Sequence, residues 1–317
     1  MHFAPYGEIN GTPNIIVDGP ANMSTVIALS HWARSGTPNE LKADTSTEIV
    51  FNYLDRPRFH VSAETVSNNH FDEDGLLGIF ALINPVVGTR HRERLIDASR
   101  AGDFGVYKDR EAARIAFVLQ TCQSRGCSPL SDAIYDLPRG EQTAALYNEA
   151  LELLPELLKT PERFEQYWRE EDEKLSETER LIEAGTITLH EEPDLDLVVV
   201  RQDPGTPRYH AYAVHSRSVC TRVVLVQEGR LELQYRYESW VQMATRRPAL
   251  RVDLSRVADA LNRQERGTGR WVFDPVDSIE PRFYFNGDDF PAVSPGRALE
   301  AIRTELRTGP VALNPYD

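Results

Sequence analysis

Up to Gln120 the chain alternates short, β-branched apolar runs with stretches of helical pattern, and that alternation admits few folds. Asn14-Ile15-Ile16-Val17-Asp18 reads as a short buried strand that ends in an acid. Gly19-Pro20 turns the chain, and Asn22 to Trp32 then reads as a helix. Asp44 opens a second helix that runs through Leu54, with Thr45 and Glu48 at the spacing of a capping box. Phe59 to Ser67 alternates weakly and is read as a strand. Asn68 to Gly75 is a polar loop, and the apolar run from Leu76 continues as a helix that stops before Pro85. Thr89 to Arg100 and Asp109 to Gln120 supply two more helices. Strands separated by helices pair in parallel, with the helices on the sheet faces. Ligands of such sheets sit where strand C-termini meet loops, which is where Asp18 and the loop around Asp72 fall.

The rest of the chain has a different pattern. Residues 139–184 are helical and charged, with breaks expected near Pro155 and Pro161. After Gly185 strands are expected at Leu195 to Val200, Tyr209 to Val214 and Thr221 to Val226, then a hairpin from Gln227 into Leu231 to Trp240. Val252 to Asn262 and Pro295 to Arg307 read as helices. The expected architecture is therefore α/β. It has an N-terminal parallel sheet flanked by helices (1–138), a helical linker (139–185) and a smaller α+β C-terminal domain (186–317).

Several function classes are disfavoured. No apolar run reaches the length of a membrane span. The N-terminus lacks a basic start followed by an apolar stretch, so no secretory signal is read. Cys122, Cys127 and Cys220 complete neither a disulfide framework nor a zinc site, and free thiols suit a cytoplasmic protein. A net charge of −14 opposes broad binding to a nucleic-acid backbone. It does not oppose a small anionic substrate, because bound cations reverse the local sign. There is no Gly-x-Ser-x-Gly elbow, no phosphate-binding Gly-x-x-x-x-Gly-Lys loop and no Gly-x-Gly-x-x-Gly turn.

What remains is an acidic constellation. Asn68-Asn69-His70-Phe71-Asp72-Glu73-Asp74-Gly75 packs three carboxylates and an imidazole into five residues. Adjacent carboxylates repel, and hard divalent cations such as Mg²⁺ or Mn²⁺ relieve that repulsion. On an extended segment His70, Asp72 and Asp74 would share one face and Glu73 would point away. The alternative is a polar loop whose acids cap the following helix. Asp18, Asp44 and Asp103 are further candidate ligands. Asp44 would otherwise serve as a helix cap and Asp103 as a turn residue between Gly102 and Gly105. His31 and His91 are candidate proton donors, with a packed imidazole and an exposed basic patch as their ordinary alternatives.

His70-Phe71-Asp72-Glu73-Asp74-Gly75-Leu76-Leu77-Gly78 resembles the first motif of the DHH phosphoesterase superfamily: a strand, Asp-x-Asp with a small residue, and an apolar helix. Gly267-Thr268-Gly269-Arg270-Trp271 loosely resembles the glycine-rich substrate loop of its C-terminal domain. The Asp-His-His triplet that names the superfamily is absent. Asp18, Asp44, the His70 loop and Asp103 could be successive motifs, or the His70 loop could be the first. The resemblance implies an α/β metal domain holding two Mn²⁺ or Mg²⁺ ions, a helical linker and a smaller domain covering the substrate.

On this reading His70, Asp72, Asp74 and Asp103, with Asp18 or Asp44, hold two ions. His31 or His91 protonates the leaving group, and Arg270 with Arg236 neutralises a small phosphorylated substrate. Two other classes compete with it: a non-catalytic binding or scaffold protein with a vestigial site, and a metal-dependent enzyme of other chemistry.

Overall fold

The computed structural model describes residues 1–317. It has two compact units, Met1–Lys174 with Met243–Thr245, and Leu175–Gln242 with Arg246–Asp317. No helix is long and apolar enough to cross a membrane.

The first unit is built on a four-stranded, all-parallel sheet of β1 (His2–Phe3), β2 (Asn14–Val17), β3 (Thr25–Leu29) and β4 (Thr65–Ser67). The strand order is β1-β4-β2-β3. Ile15, Ile16 and Val17 are wholly buried, as expected of an inner parallel strand covered on both faces. β3 corrects the helix expected over Asn22 to Trp32. Only residues 18–24 separate β2 from β3, whereas parallel neighbours usually need a longer crossover. Thr25, Val26 and Ile27 instead favour extended backbone. The expected strand over Phe59 to Ser67 shrinks to its last three residues, since Pro57–Phe59 form a 3-10 turn.

Six helices follow within this unit: α1 (Ser46–Leu54), α2 (Glu73–Ile83), α3 (Pro85–Arg90), α4 (Arg92–Phe104), α5 (Arg110–Thr121) and α6 (Arg139–Lys159). Thr45 caps α1 by accepting from the Glu48 amide, as its spacing predicts. Asp72 caps α2 by accepting from the Gly75 amide. Each such cap contributes about 1 kcal/mol. α2 is apolar all round from Leu76 and lies at the centre of the unit, with every residue from Glu73 to Leu82 buried. α4 extends past its expected end at Arg100 and stops at Gly105, whose left-handed φ of 63° terminates the helix. Pro155 does not break α6 and lies on its exposed face. The break comes instead at residues 160–164, before α7 (Glu165–Glu183).

The second unit carries a six-stranded mixed sheet, made of β5 (Ile187–Glu192), β6 (Leu197–Gln202), β7 (Arg222–Gln227), β8 (Arg230–Tyr235), β10 (Trp271–Phe273) and β11 (Arg282–Phe285). Their order is β10-β11-β8-β7-β6-β5, with β6 and β7 parallel and the other pairs antiparallel. A separate pair joins β9 (Arg251–Val252) to β12 (Val311–Leu313). Glu228 and Gly229, at φ 48° and 75°, close the expected β7–β8 hairpin. The sheet buries both faces. Leu197 and Val199 face one core with α9 (Ser255–Asn262) and α10 (Pro295–Thr308), while Val198 and Val200 face another. The strand expected at Tyr209 to Val214 is instead a short helix, α8 (Ala211–His215), whose cap is the His210 ring accepting from the Tyr212 amide.

Candidate metal centre

Three of the four parallel strands end at the site. Asp18 follows β2, His31 comes two residues after β3, and His70 follows β4 by three. Asp18 has left-handed backbone, φ 51°, which costs a residue with a side chain about 1–2 kcal/mol. Such strain concentrates at functional positions. α1 and α2 both begin at this edge of the sheet, and α4 ends there.

His31 lies at the centre, fully buried. Its Nδ1 is 2.6 Å from the Asp44 carbonyl oxygen, which only accepts, so Nδ1 carries the proton and donates it. Nε2 therefore faces three carboxylates: Asp18 Oδ1 at 3.3 Å, Asp103 Oδ2 at 3.6 Å and Asp74 Oδ2 at 4.0 Å. These separations exceed a good hydrogen bond. They match neighbours in a coordination shell, since donors about 2.1 Å from one ion lie about 3–4 Å apart.

Asp74 is held by α1, accepting from the Ser46 amide at 2.6 Å and the Thr47 amide at 2.7 Å. Ser46 Oγ donates to Asp18 Oδ1 at 2.7 Å. A second triad lies on the other side of Asp18. His70 Nε2 is 3.4 Å from Asp18 Oδ2 and 2.8 Å from Asp72 Oδ2. Asp18 thus presents one oxygen to His31 with Asp74 and the other to His70 with Asp72. Within each triad the candidate donor atoms lie within 4.8 Å of one another.

The charges are only partly compensated. Asp18 Oδ2 and Asp103 Oδ2 are buried and accept no hydrogen bond. Burial pushes Asp103 well above the usual carboxylate range, with Asp74 and Asp18 adding to it. Burial and then Asp18 raise Asp74 to about 6. Burial would also raise Asp18, but the His31 and His70 imidazoles beside it outweigh burial and hold the group well below its ordinary value. Burial depresses the imidazoles, yet Asp18 and its neighbours lift His31 to about 9, and Asp72 with Asp18 lifts His70 to about 11. Without a cation, then, protons on the imidazoles occupy the positions that an ion would compete for.

The sequence candidates separate accordingly. Asp18, His70, Asp72, Asp74 and Asp103 come together, and His31, expected as a proton donor to a leaving group, joins them with Nε2 turned toward three of the carboxylates. Asp103 lies on the last turn of α4, not in a turn between glycines. His70, Asp72 and Asp74 do not share one extended face, because Asp72 already caps α2 and Asp74 belongs to its first turn. Glu73 is buried beside the cluster instead of pointing away, and burial with the Asp72 charge lifts it to about 8.

Asp44 is not a carboxylate ligand. Its oxygens are saturated by the Ala244 amide, the Thr245 amide and Thr245 Oγ1, at 2.8, 2.9 and 2.5 Å. Its contribution is the carbonyl that orients His31. His91 lies between α3 and α4 in a cavity of about 840 Å³ lined by Arg90, Arg92, Arg94 and Arg100, outside both triads. Arg236 and Arg270 are in the second unit. Arg236 is buried against Glu238 and the Ser218 and Cys220 carbonyls. Arg270 closes its own loop onto the Gly267 and Gly269 carbonyls, and Trp271 is a core residue stacked on Phe283.

Sequence reasoning missed Ser46 and Thr47, which fasten two of the acids. Their signal was present: an α1 N-terminus offers free amides that attract a carboxylate.

A protein-family model described as a family of unknown function (DUF6687) matches residues 1–294. No curated protein and no solved structure matches the chain.

Proposed function

The chain belongs to DUF6687, a family of unknown function, and from its site we propose that it is a divalent-metal-dependent hydrolase of the phosphoesterase type, acting on a small phosphorylated substrate. The observation that carries this reading is Asp18, a buried carboxylate with one oxygen in each of two His/Asp triads. Asp18 would thus offer a carboxylate oxygen to each of two cations, Mn²⁺ or Mg²⁺ by the oxygen-rich donor set. The motif resemblance at His70 to Gly78 points the same way. The chain's free cysteines favour the cytoplasm.

Cations held by these residues would supply Lewis acidity toward a phosphoryl oxygen and an activated water. The chain's residues do the rest. Asp44 and Ser46 hold His31 and Asp18 in position, and the Ser46 and Thr47 amides fix Asp74. Asp72 and His70, partly exposed, form the side of the site that a substrate reaches.

The test is hydrolysis of bis(p-nitrophenyl) phosphate with Mn²⁺ or Mg²⁺ added, wild type against Asp18→Asn. We expect cation-dependent turnover that falls by at least about a hundredfold in the variant. Turnover that survives both chelation and Asp18→Asn would refute the assignment. Cation binding without turnover of any phosphate ester would favour a binding protein instead.

A further inference from the structure

The two triads are not equivalent. The side chains facing His31 Nε2 are sealed from solvent: His31 and Asp74 are 0% exposed, Asp18 1% and Asp103 5%. This inner position has three candidate donors already within 4.8 Å of one another, with Asp103 Oδ2 a further carboxylate oxygen 3.6 Å from His31 Nε2. Its imidazole is locked by the Asp44 carbonyl, and its Asp74 carboxylate by two amides. The outer triad has three candidate donors, and two are open to water, His70 at 34% and Asp72 at 23%. His70 Nε2 there sits in a 2.8 Å hydrogen bond with Asp72, and an incoming ion has to part them.

Ligand number, charge and rigidity set cation affinity. We infer that the His31 position holds a resident ion, while the His70 position takes an exchangeable one whose occupancy follows the free cation concentration. This rests on the metal reading above and adds regulation to it. The protein would stay singly loaded when divalent cation is scarce and gain its second ion, and with it full activity, only as the concentration rises. The solvent-open side of the outer position also leaves room for water and substrate, as catalytic metal positions do.

The experiment starts from full-length protein purified with Mn²⁺ and dialysed against cation-free buffer. Metal content is read by mass spectrometry, and Mn²⁺ is then titrated back while free Mn²⁺ is followed by electron paramagnetic resonance. We expect about one ion per chain to survive dialysis and a second to bind about a hundredfold more weakly. His70→Ala should abolish the weak step and keep the retained ion. Two ions lost together, two retained together, or a retained ion lost in His70→Ala would overturn the inequality while leaving a metal site in place. No bound ion at any Mn²⁺ concentration would overturn the metal reading itself. The dialysis of the unaltered protein decides the matter even if His70→Ala does not fold.

Discussion

Both units bury charge, and they treat it differently. In the second unit Arg222, Arg236 and Arg251 are 3%, 2% and 0% exposed. Most of their guanidinium N–H groups are spent on carbonyls, Arg222 on Leu195 and Leu250 and Arg251 on Val276, Ser278 and Ile279, although Arg222 Nε finds no acceptor. Arg251 Nε also donates to Ser239 Oγ. In the first unit the side chains of Asp18 and Asp103 are 1% and 5% exposed, and each keeps an oxygen with no hydrogen-bond donor. A buried charge whose bonding is filled ties segments of chain together. A buried charge left unfilled costs free energy unless something from outside completes it. The first pattern is architecture, and the second marks a site.

Removing a charge should therefore have opposite consequences in the two units. The largest effect is expected for Arg251→Met. Methionine fills the volume but leaves three backbone carbonyls without donors, so the variant should lose about 3–5 kcal/mol of stability in urea unfolding. A loss below about 1 kcal/mol would mean that the arginine is not a tie.

Next in size is the cation itself. Mn²⁺ at about a hundred times the inner dissociation constant should add about 2.7 kcal/mol to the first unit, seen as a higher unfolding temperature. Asp18→Asn should abolish that gain. An equal gain in wild type and variant would place the ion elsewhere.

The metal-free protein should also respond to pH in a defined direction. Asp74 (3.8 to about 6), Glu73 (4.5 to about 8) and His31 (6.5 to about 9) hold protons in the folded chain that the unfolded chain releases at lower pH. Folding binds protons across that range, so stability falls as pH rises from about 5 to about 9. Asp18, shifted downward, contributes stability lost only as pH falls below its ordinary value, so it does not reverse the sign. Thermal unfolding with chelator at pH 5.5 and 8.5 checks it, and greater stability at 8.5 would contradict the charge balance given above.

A smaller change is expected from Asp103→Asn. It removes a carboxylate that burial and two neighbouring acids disfavour. The metal-free protein should gain about 1 kcal/mol while the response to Mn²⁺ shrinks. Stability gained together with function lost is what separates this carboxylate from the arginines.

The same division explains what could be read from the sequence. Elements fixed by local chemistry were visible: the Thr45 cap, the apolar α2, the β7–β8 hairpin at Glu228-Gly229, and the His70 to Asp74 cluster. β3 was missed because its β-branched run lies between loops with no crossover to announce it. The tyrosine-rich start of α8 was taken for a strand because its helical form depends on the His210 cap and on burial of Tyr212, Ala213 and Val214. Asp44 was recognised as important for the wrong atoms. Its side chain had an obvious role as a ligand or a cap, and nothing local showed that Ala244 and Thr245 would take it. The sharing of Asp18 by two triads was invisible, since it exists only once three strand ends and two helix starts meet.

Asp44 also supplies the finest discrimination between a tie and a site, because it is both. Its carboxylate is filled by Met243–Thr245, three residues that pack in the first unit although the chain on either side belongs to the second. Its carbonyl sets the His31 tautomer. Thr245→Val removes the hydroxyl donor and leaves the two amides, so stability should drop by about 1 kcal/mol. If Asp44 merely ties the segment down, the change ends there. If it positions His31, the inner ion should bind about tenfold more weakly while the outer step is unchanged, because a partner that orients a ligand tunes the ion without touching it. Thr245→Ser, which keeps the hydroxyl, should restore the affinity. An inner affinity that ignores both substitutions would assign Asp44 wholly to architecture.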